Sequence, residues 1–487
     1  MKNNSMKQLL KIFSIFSFIL ILSSCGGNED RGIAESASAF INANDKVIVF
    51  GSIDPISIFE KAEYKNIPMV GALIDGQMKR VSSGLNLYAG FYYAMEGPFT
   101  DGNPATLYMF AEVKNLDSLK AVLTLDGYDF DSKDGIEYFR DGEATVGIKN
   151  KVAIMFVKAG EYDELAMAKK AFEMASGDVM EGSGARLLAQ RGDISINSHM
   201  YNQFITANNQ TASLPDDKKE QLADMMRGSF TQANIHFEKG QLRVAFDNQF
   251  SANLTKRMMM KEDPSASIRK KIGVGEPKIA VAMNLDMAKL QAWVDDFAPS
   301  GLDFLSKNSG PMQMIVLLAG GKIGNLVNGE MGVALFSDPS KVKDPEFAMY
   351  SGFGPNGKDL AEMVKNFPTK GDILMDVSSK GVNIYSNIRY KASNSYGFSV
   401  PKGAESFGKK GITGFANVDK MDFTEFELEG PEKLIELVKY VHLSMDTKGG
   451  ELIIKTKNPN QNVLKLCVDK MLKEFEGQIG QLGDLAM

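Results

Sequence analysis

Apolar and polar positions follow the same order twice along this chain, in residues 46–262 and 278–487. Each stretch opens with an apolar strand that ends at an aspartate, Asp54 in the first and Asp286 in the second. Because an aspartate there accepts hydrogen bonds from the free N–H groups of a first helical turn, we predict that a helix follows each strand. Pro55 suits the first position of such a helix.

The later elements keep the same order in both copies. Strands predicted at 105–113 and 346–353 are each followed by a helical pattern, and each copy closes with two strands around turn glycines and then a helix. The closing elements are 232–238, 241–248 and 252–261 in the first copy, and 442–446, 451–457 and 462–476 in the second. Strands joined by tight turns favour antiparallel sheets covered by helices on one face. We therefore predict an α+β fold of two tandem duplicated domains.

Three segments fall outside the shared pattern. Residues 161–226 form a helical insert in the first copy, which the second copy lacks. Residues 263–277, which include Asp-Pro and Glu-Pro, have the composition of a linker. Residues 25–45 are predicted to be a flexible tether at the start of the mature chain.

The first 24 residues resemble a bacterial lipoprotein signal peptide. Lysines at positions 2, 7 and 11 accompany an apolar run over 12–22, and small residues then lead into Cys25. The run has eleven residues, whereas a membrane-spanning helix needs about 20. The resemblance implies cleavage before Cys25 and lipidation at its thiol, and several acyl chains anchor a protein stably.

Composition narrows the possible partners. The 487 residues are 44% hydrophobic, as in a globular protein with a sizeable core. The formal net charge is -6, and loss of the three signal lysines makes the mature chain -9. Because nucleic-acid binding needs clustered lysine and arginine, we expect no nucleic-acid partner. Cys25 and Cys467 are the two cysteines, so lipidation of Cys25 leaves no internal disulfide, and Cys467 is predicted to be a buried structural thiol.

No motif predicts a metal or a cofactor. His199, His236 and His442 are scattered and fit no zinc-binding spacing. The glycine-rich stretch 320–324 follows an apolar helical pattern and matches no phosphate-binding loop. Met258-Met259-Met260 is placed on a helix, where the side chains fan around the axis and pack rather than converge on copper.

Two further arrangements bear on calcium binding and catalysis. Asp129, Asp131 and Asp134 alternate through a turn-rich stretch, but Lys133 stands where a calcium loop needs an oxygen ligand, which favours a solvated loop. Ser52 precedes Asp54 in the first copy but has no serine counterpart in the second, so helix capping explains the pattern better than nucleophilic catalysis.

Glycan binding would need exposed aromatic side chains. Trp293 is predicted on the buried side of a helix, and the tyrosines of 88–93 are predicted on a strand. Tyr92 and Tyr93 then lie on opposite faces, so one face is open to a glycan.

The whole chain resembles a family of Bacteroidota lipoproteins defined by a domain of unknown function. The resemblance rests on the lipobox at Cys25, the opening strand ending at Asp54, and Gly192-Asp193-Ile194-Ser195-Ile196 after a helix. It implies lipid anchoring in the outer membrane, on the cell surface or the periplasmic face, and no catalytic residues. We expect a non-catalytic module that binds or scaffolds a protein or glycan partner. The alternatives are an envelope hydrolase with a dispersed acidic site and a surface glycan-binding lipoprotein.

Overall fold

The computed structural model describes most of residues 32–484, and the chain divides into two compact units. The gaps in the description are 68–69, 100–103, 126, 159–161, 178–181, 183, 187–191, 207–214, 262–266, 298–321, 339–344, 366–372, 394 and 424–429. The predicted signal peptide and Cys25 lie outside the described residues. Unit 1 comprises Met1–Ala212 and Phe230–Phe237, and unit 2 comprises Ser213–Ser229 and Glu238–Met487. The predicted repeat boundaries, 46–262 and 278–487, stay a prediction.

Unit 1 is built on an antiparallel sheet. Its described strands are β1 (Val47–Ile53), β2 (Phe91–Glu96), β3 (Thr106–Glu112), β4 (Asp131–Lys133), β5 (Ile136–Asp141), β6 (Ala144–Lys149), β7 (Val152–Lys158), β8 (Ile194–His199) and β9 (Phe230–Glu238). Its described helices are α1 (Ile33–Ala43), α2 (Pro55–Lys61), α3 (Val70–Ser82), α4 (Leu116–Leu125), α5 (Glu164–Ala175) and α6 (Met200–Thr206). Neighbouring strands follow the order β9-β8-β1-β2-β3-β7-β6-β5-β4.

Helices cover both faces of this sheet, so the prediction of helices on one face is wrong for unit 1. One face packs Phe50 and Tyr92 against α1 and α5. The opposite face packs Tyr93 and Met109 against α3 and α4. The reason lies in β2, where Phe91-Tyr92-Tyr93-Ala94 is a continuous apolar run with all four residues buried. A strand with such a run is buried on both faces.

The predicted tether is also wrong from residue 33 onward, because α1 belongs to the core. Ile33, Ala37, Phe40 and Ile41 recur at helical spacing, and each is at most 3% exposed. The Phe40 ring lies 4.6 Å from Tyr108 and 5.1 Å from Phe110, measured between centroids. Residues 33–41 therefore belong to the folded body.

Unit 2 is built on a second antiparallel arrangement of strands. Its described strands are β10 (Gln241–Gln249), β11 (Ile279–Asn284), β12 (Val327–Leu335), β13 (Phe347–Phe353), β14 (Leu374–Val377), β15 (Gly381–Tyr385), β16 (Ile412–Ala416), β17 (Val438–Asp446) and β18 (Gly449–Thr456). Its described helices are α7 (Asp216–Met226), α8 (Ala252–Arg257), α9 (Ile268–Ile272), α10 (Met287–Phe297), α11 (Gly357–Lys365) and α12 (Val463–Asp484). Neighbouring strands follow the order β10-β18-β17-β16-β11-β12-β13-β15-β14.

The opening strands of the two units have matching neighbours. β1 lies between β8 and β2, and β3 follows β2 in the sheet. β11 lies between β16 and β12, and β13 follows β12. The predicted caps are confirmed: Asp54 Oδ1 accepts from the Ser57 amide at 2.9 Å, and Asp286 Oδ1 accepts from the Lys289 amide at 3.2 Å. The predicted α+β class with antiparallel sheets is confirmed.

Two segment predictions are wrong in part. The predicted helical insert 161–226 contains strand β8, which pairs with β1 and β9. The predicted linker 263–277 contains α9, whose Ile268 and Ile272 are 3% and 0% exposed and belong to the core of unit 2.

Two local predictions also need correction. Helix α8 ends at Arg257, so Met258-Met259-Met260 is not helical, and Met260 forms a bridge with Leu285 instead. Tyr88 lies in a short 3-10 turn before β2 rather than on the strand. None of the described helices is both long enough and apolar enough to span a membrane.

Candidate functional site

A buried polar cluster lies on the β8–β9 pair of unit 1. Alternate residues of β8 (Ser195, Asn197, His199) stand directly opposite alternate residues of β9 (Asn234, Gln232, Phe230). These side chains share the face on which Phe50 packs, because Phe50 of β1 is the partner of Asn197. The cluster therefore continues a hydrophobic core with hydrogen-bonding groups.

The cluster is only partly satisfied by the protein. Ser195 Oγ donates to Asn234 Oδ1 at 2.6 Å and accepts from the Gly192 amide at 3.0 Å. In the next row Asn197 is 1% exposed, and neither atom of its amide has a hydrogen-bond partner among the described residues. The Gln232 Nε2 atom is likewise buried without a hydrogen-bond partner among the described residues. A buried polar atom left unpaired costs about 1–3 kcal/mol, so this row does not act as a stabilising element.

His199 closes the cluster as a neutral imidazole. Its ring lies 5.1 Å from the Phe50 ring and 4.7 Å from the Phe230 ring, and the Arg186 guanidinium lies 4.8 Å over Phe230. Burial, reinforced by the Arg186 charge, lowers the pKa of His199 to about 4. The side chain therefore carries no charge at neutral pH.

This pKa predicts a loss of stability in mild acid. The unfolded chain binds a proton at His199 near pH 6.5 and the folded chain only near pH 4, so stability is full above about pH 6.5 and falls as the pH drops. The expected loss by pH 4 is about 3 kcal/mol. Urea unfolding from pH 7 to pH 4, compared between the wild type and His199→Phe, measures it. The variant should lack this part of the pH dependence, and equal slopes in the two proteins would refute the assignment.

Asp193 accepts more hydrogen bonds than any other described carboxylate of unit 1. Its oxygens accept from Lys61 Nζ at 2.5 and 2.7 Å, from Ser57 Oγ at 2.5 Å, and from the Phe237 amide at 2.6 Å. Burial alone would raise the pKa of Asp193, but the bonds from Lys61, Ser57 and Phe237 together hold it below the ordinary value. Asp193 thus joins α2, β8 and β9, which gives the Gly192-Asp193 motif a structural role.

Unit 2 contains a shallow depression that is open to solvent and has room for about one water molecule. It is lined by Ile268, Ala282, Met283, Asn284, Glu330, Gly408 and Lys410. Glu330 is bonded to Lys271 Nζ at 2.6 and 2.7 Å, and Lys410 is bonded to Asp446. Glu330 is the one carboxylate among the lining residues, whereas paired-carboxylate hydrolysis needs two. The charged groups of this pocket are therefore held in ion pairs and fit a structural role.

Among the described residues, the contact between Ser406 and His442 most resembles the serine–histidine pair of a hydrolase. Ser406 Oγ lies 3.0 Å from His442 Nε2, but His442 Nδ1 is buried without a hydrogen-bond partner in the described part of the chain. A base that takes the serine proton at Nε2 must carry its own proton at Nδ1, where a third group normally accepts it. Without that acceptor the favoured tautomer donates from Nε2 to Ser406. The contact fits a structural hydrogen bond.

The other sequence candidates have surroundings that fit structural roles. Cys467 is half-buried and its pKa is raised by burial, which fits the predicted structural thiol. Asp134 is paired with Lys169, which holds the pKa of that carboxyl below its usual value. The described residues contain no group of three or more candidate metal ligands. Trp293 is half-buried and donates to the Arg257 carbonyl at 2.9 Å.

The aromatic residues predicted as a glycan surface are mostly buried. Tyr92 and Tyr93 are 3% and 8% exposed, because both faces of β2 are covered. Tyr88 is 82% exposed. The β8–β9 cluster is not evident from the sequence, in which its only signal is the alternation of Ser195, Asn197 and His199.

Comparison with known proteins adds distant structural likenesses. No protein-family model and no curated protein matches this chain. Crystal form I of TP0453 is 11% identical over 46% of this chain and 80% of that chain, with a TM-score of 0.27. Crystal form III of TP0453 is 8% identical over 74% of this chain and 93% of that chain, with a TM-score of 0.22. At these TM-scores the likeness carries no argument about fold or function.

Proposed function

We propose that this chain is a lipid-anchored protein of the outer membrane that binds or scaffolds a partner and belongs with the Bacteroidota lipoproteins it resembles. The observation that carries the proposal is the position of α1, whose first residue follows Cys25 after only seven intervening residues. A lipobox so close to a folded core suits a domain that is held at the membrane, rather than one displayed at the end of a long linker.

The short connection limits the reach of the anchored protein. An extended chain covers about 3.3–3.6 Å per residue, so residues 26–32 hold the first residue of α1 within about 25–30 Å of the lipid. A partner bound to unit 1 is therefore held close to the membrane surface, which suits a scaffold that recruits its partner there.

The proposal includes an origin by domain duplication. The matching neighbours of β1 and β11 and the matching caps at Asp54 and Asp286 support it. The hydrolase alternative has no supporting carboxylate pair in the unit 2 pocket. Of the aromatic residues predicted for glycan binding, Trp293 is half-buried, Tyr92 and Tyr93 are buried, and Tyr88 is exposed.

Lipidation at Cys25 predicts that replacing this residue releases the protein from the membrane. The wild-type chain should sediment with membranes and incorporate radiolabelled palmitate, and Cys25→Ala should lose the label and at least about 90% of the sedimenting protein, because acyl chains supply the membrane affinity. Cys467→Ala is the matched control and should behave as wild type. Membrane-bound, labelled Cys25→Ala protein would overturn the proposal.

A further inference from the structure

The sheet of unit 2 has a face whose central row is apolar across six strands. Val244, Leu452, Leu443, Gly414, Val281 and Val333 stand directly opposite one another on β10, β18, β17, β16, β11 and β12. The rows on either side, from Phe246 to Met331 and from Leu242 to Leu335, are equally free of charge. We call these three rows the apolar face of unit 2.

Among the described residues, this face is more exposed than its counterpart in unit 1. Val281 and Val333, at the centre of the row, are each 38% exposed. In unit 1 the corresponding strands are β2 and β3. Their residues Phe91, Tyr93 and Met109 pack against α3 and α4 and are 3%, 8% and 6% exposed. A contiguous apolar patch of this kind on a folded protein marks an interaction surface.

We propose that the apolar face of unit 2 docks the same face of a second copy of this chain. An uncharged face is complementary to itself, which a two-fold dimer requires because the same patch serves both subunits. Two sheet faces stack about 10 Å apart with interdigitated side chains, so the partner of matching shape is another sheet.

The area of the face agrees with a dimer interface. At a few tens of Å² for each apolar side chain, six strands offer on the order of 600–800 Å² per copy, against about 800 Å² per partner in a standard stable interface. The inference goes beyond the proposed function and is independent of lipidation, so a Cys25→Ala chain should still pair.

The test uses two differently tagged full-length copies in the Cys25→Ala background, which prevents co-purification through shared lipid. Wild-type faces should co-purify. When both copies carry Val281→Lys and Val333→Lys, the amount of co-purified partner should fall at least about tenfold, because like charges meet across the interface. The same loss is expected when both copies carry Val281→Glu and Val333→Glu. A lysine copy mixed with a glutamate copy should recover pairing.

The controls separate a second copy from other occupants of the face. Ile388→Lys changes a side chain that is 62% exposed in the same unit and should pair as wild type. If the charged variants do not fold, Val281→Thr with Val333→Thr should still weaken pairing. Absence of wild-type pairing, failure of the mixed charges to restore it, or unchanged pairing of folded threonine variants would overturn the proposal. A monomer that carries a bound lipid in native mass spectrometry would also overturn it.

Discussion

Phe40→Ala is expected to lower the free energy of unfolding by about 3–5 kcal/mol, although Phe40 lies where the sequence suggests a tether. The side chain is fully buried, and its ring contacts Tyr108 and Phe110 of the sheet. Truncation removes the buried ring and leaves a cavity that the close-packed neighbours fill only in part. Urea unfolding followed by circular dichroism measures the change.

Two further variants calibrate this result. Phe40→Leu keeps most of the buried volume and should cost less than half as much. Ala43→Ser, at the exposed end of the same helix, should change stability by less than about 0.5 kcal/mol. An unfolding free energy for Phe40→Ala equal to that of Ala43→Ser would mean that α1 is not part of the folded core.

The misassigned tether shows where composition misleads. Residues 33–43 read Ile-Ala-Glu-Ser-Ala-Ser-Ala-Phe-Ile-Asn-Ala, and their serines and alanines are typical of a linker. Small side chains also let a helix approach a sheet closely, and Ala37, Ser38 and Ala39 have no exposed surface. The period of Ile33, Ala37 and Phe40 was the correct signal, and it outweighs composition when the apolar residues recur on one face.

Elements with local causes could be predicted from the sequence. Asp54 and Asp286 cap their helices because the capping bond joins residues three apart, and no distant contact is needed. The closing strands were also placed correctly, since turn glycines separate them. The ends of elements were less predictable, as α8 shows by ending at Arg257, four residues before the predicted end.

The buried polar cluster could not be predicted because its cause is tertiary. Ser195, Asn197 and His199 alternate with Ile194, Ile196 and Ser198, a period that ordinarily indicates a solvent-facing side. Whether that side is covered depends on residues far away in sequence, such as Phe50 of β1, whose ring lies 5.1 Å from the His199 ring. Periodicity identifies the faces of a strand but not which face is buried.

Asp193 belongs to a local sequence motif and also has bonding partners that are distant in sequence. Because it joins these distant segments, we expect it to be sensitive to substitution. The glycine-aspartate motif was visible in the sequence, but its partners, Lys61 on α2 and Phe237 on β9, lie 132 and 44 positions away. The carboxylate side chain is 5% exposed, whereas Lys61 is 33% exposed and retains contact with water. Most of the cost of removing the carboxylate then arises from the lost hydrogen bonds and the cavity, since the lysine can be rehydrated.

Asp193→Ala is expected to destabilise the protein by about 3 kcal/mol at pH 7, because three groups lose a charged hydrogen-bond acceptor. Lys79→Ala, which removes an exposed ion pair within α3, is the control and should cost about 0.5 kcal/mol or less. The folded pKa of Asp193 lies below its unfolded value, so the contribution is complete above about pH 4 and is lost at lower pH. The stability difference between wild type and Asp193→Ala, measured by urea unfolding, should be constant from pH 7 to pH 5 and shrink below pH 4. A difference that already shrinks between pH 7 and pH 5 would mean that Asp193 binds a proton in the folded protein and that the Lys61 contact does not hold it ionised.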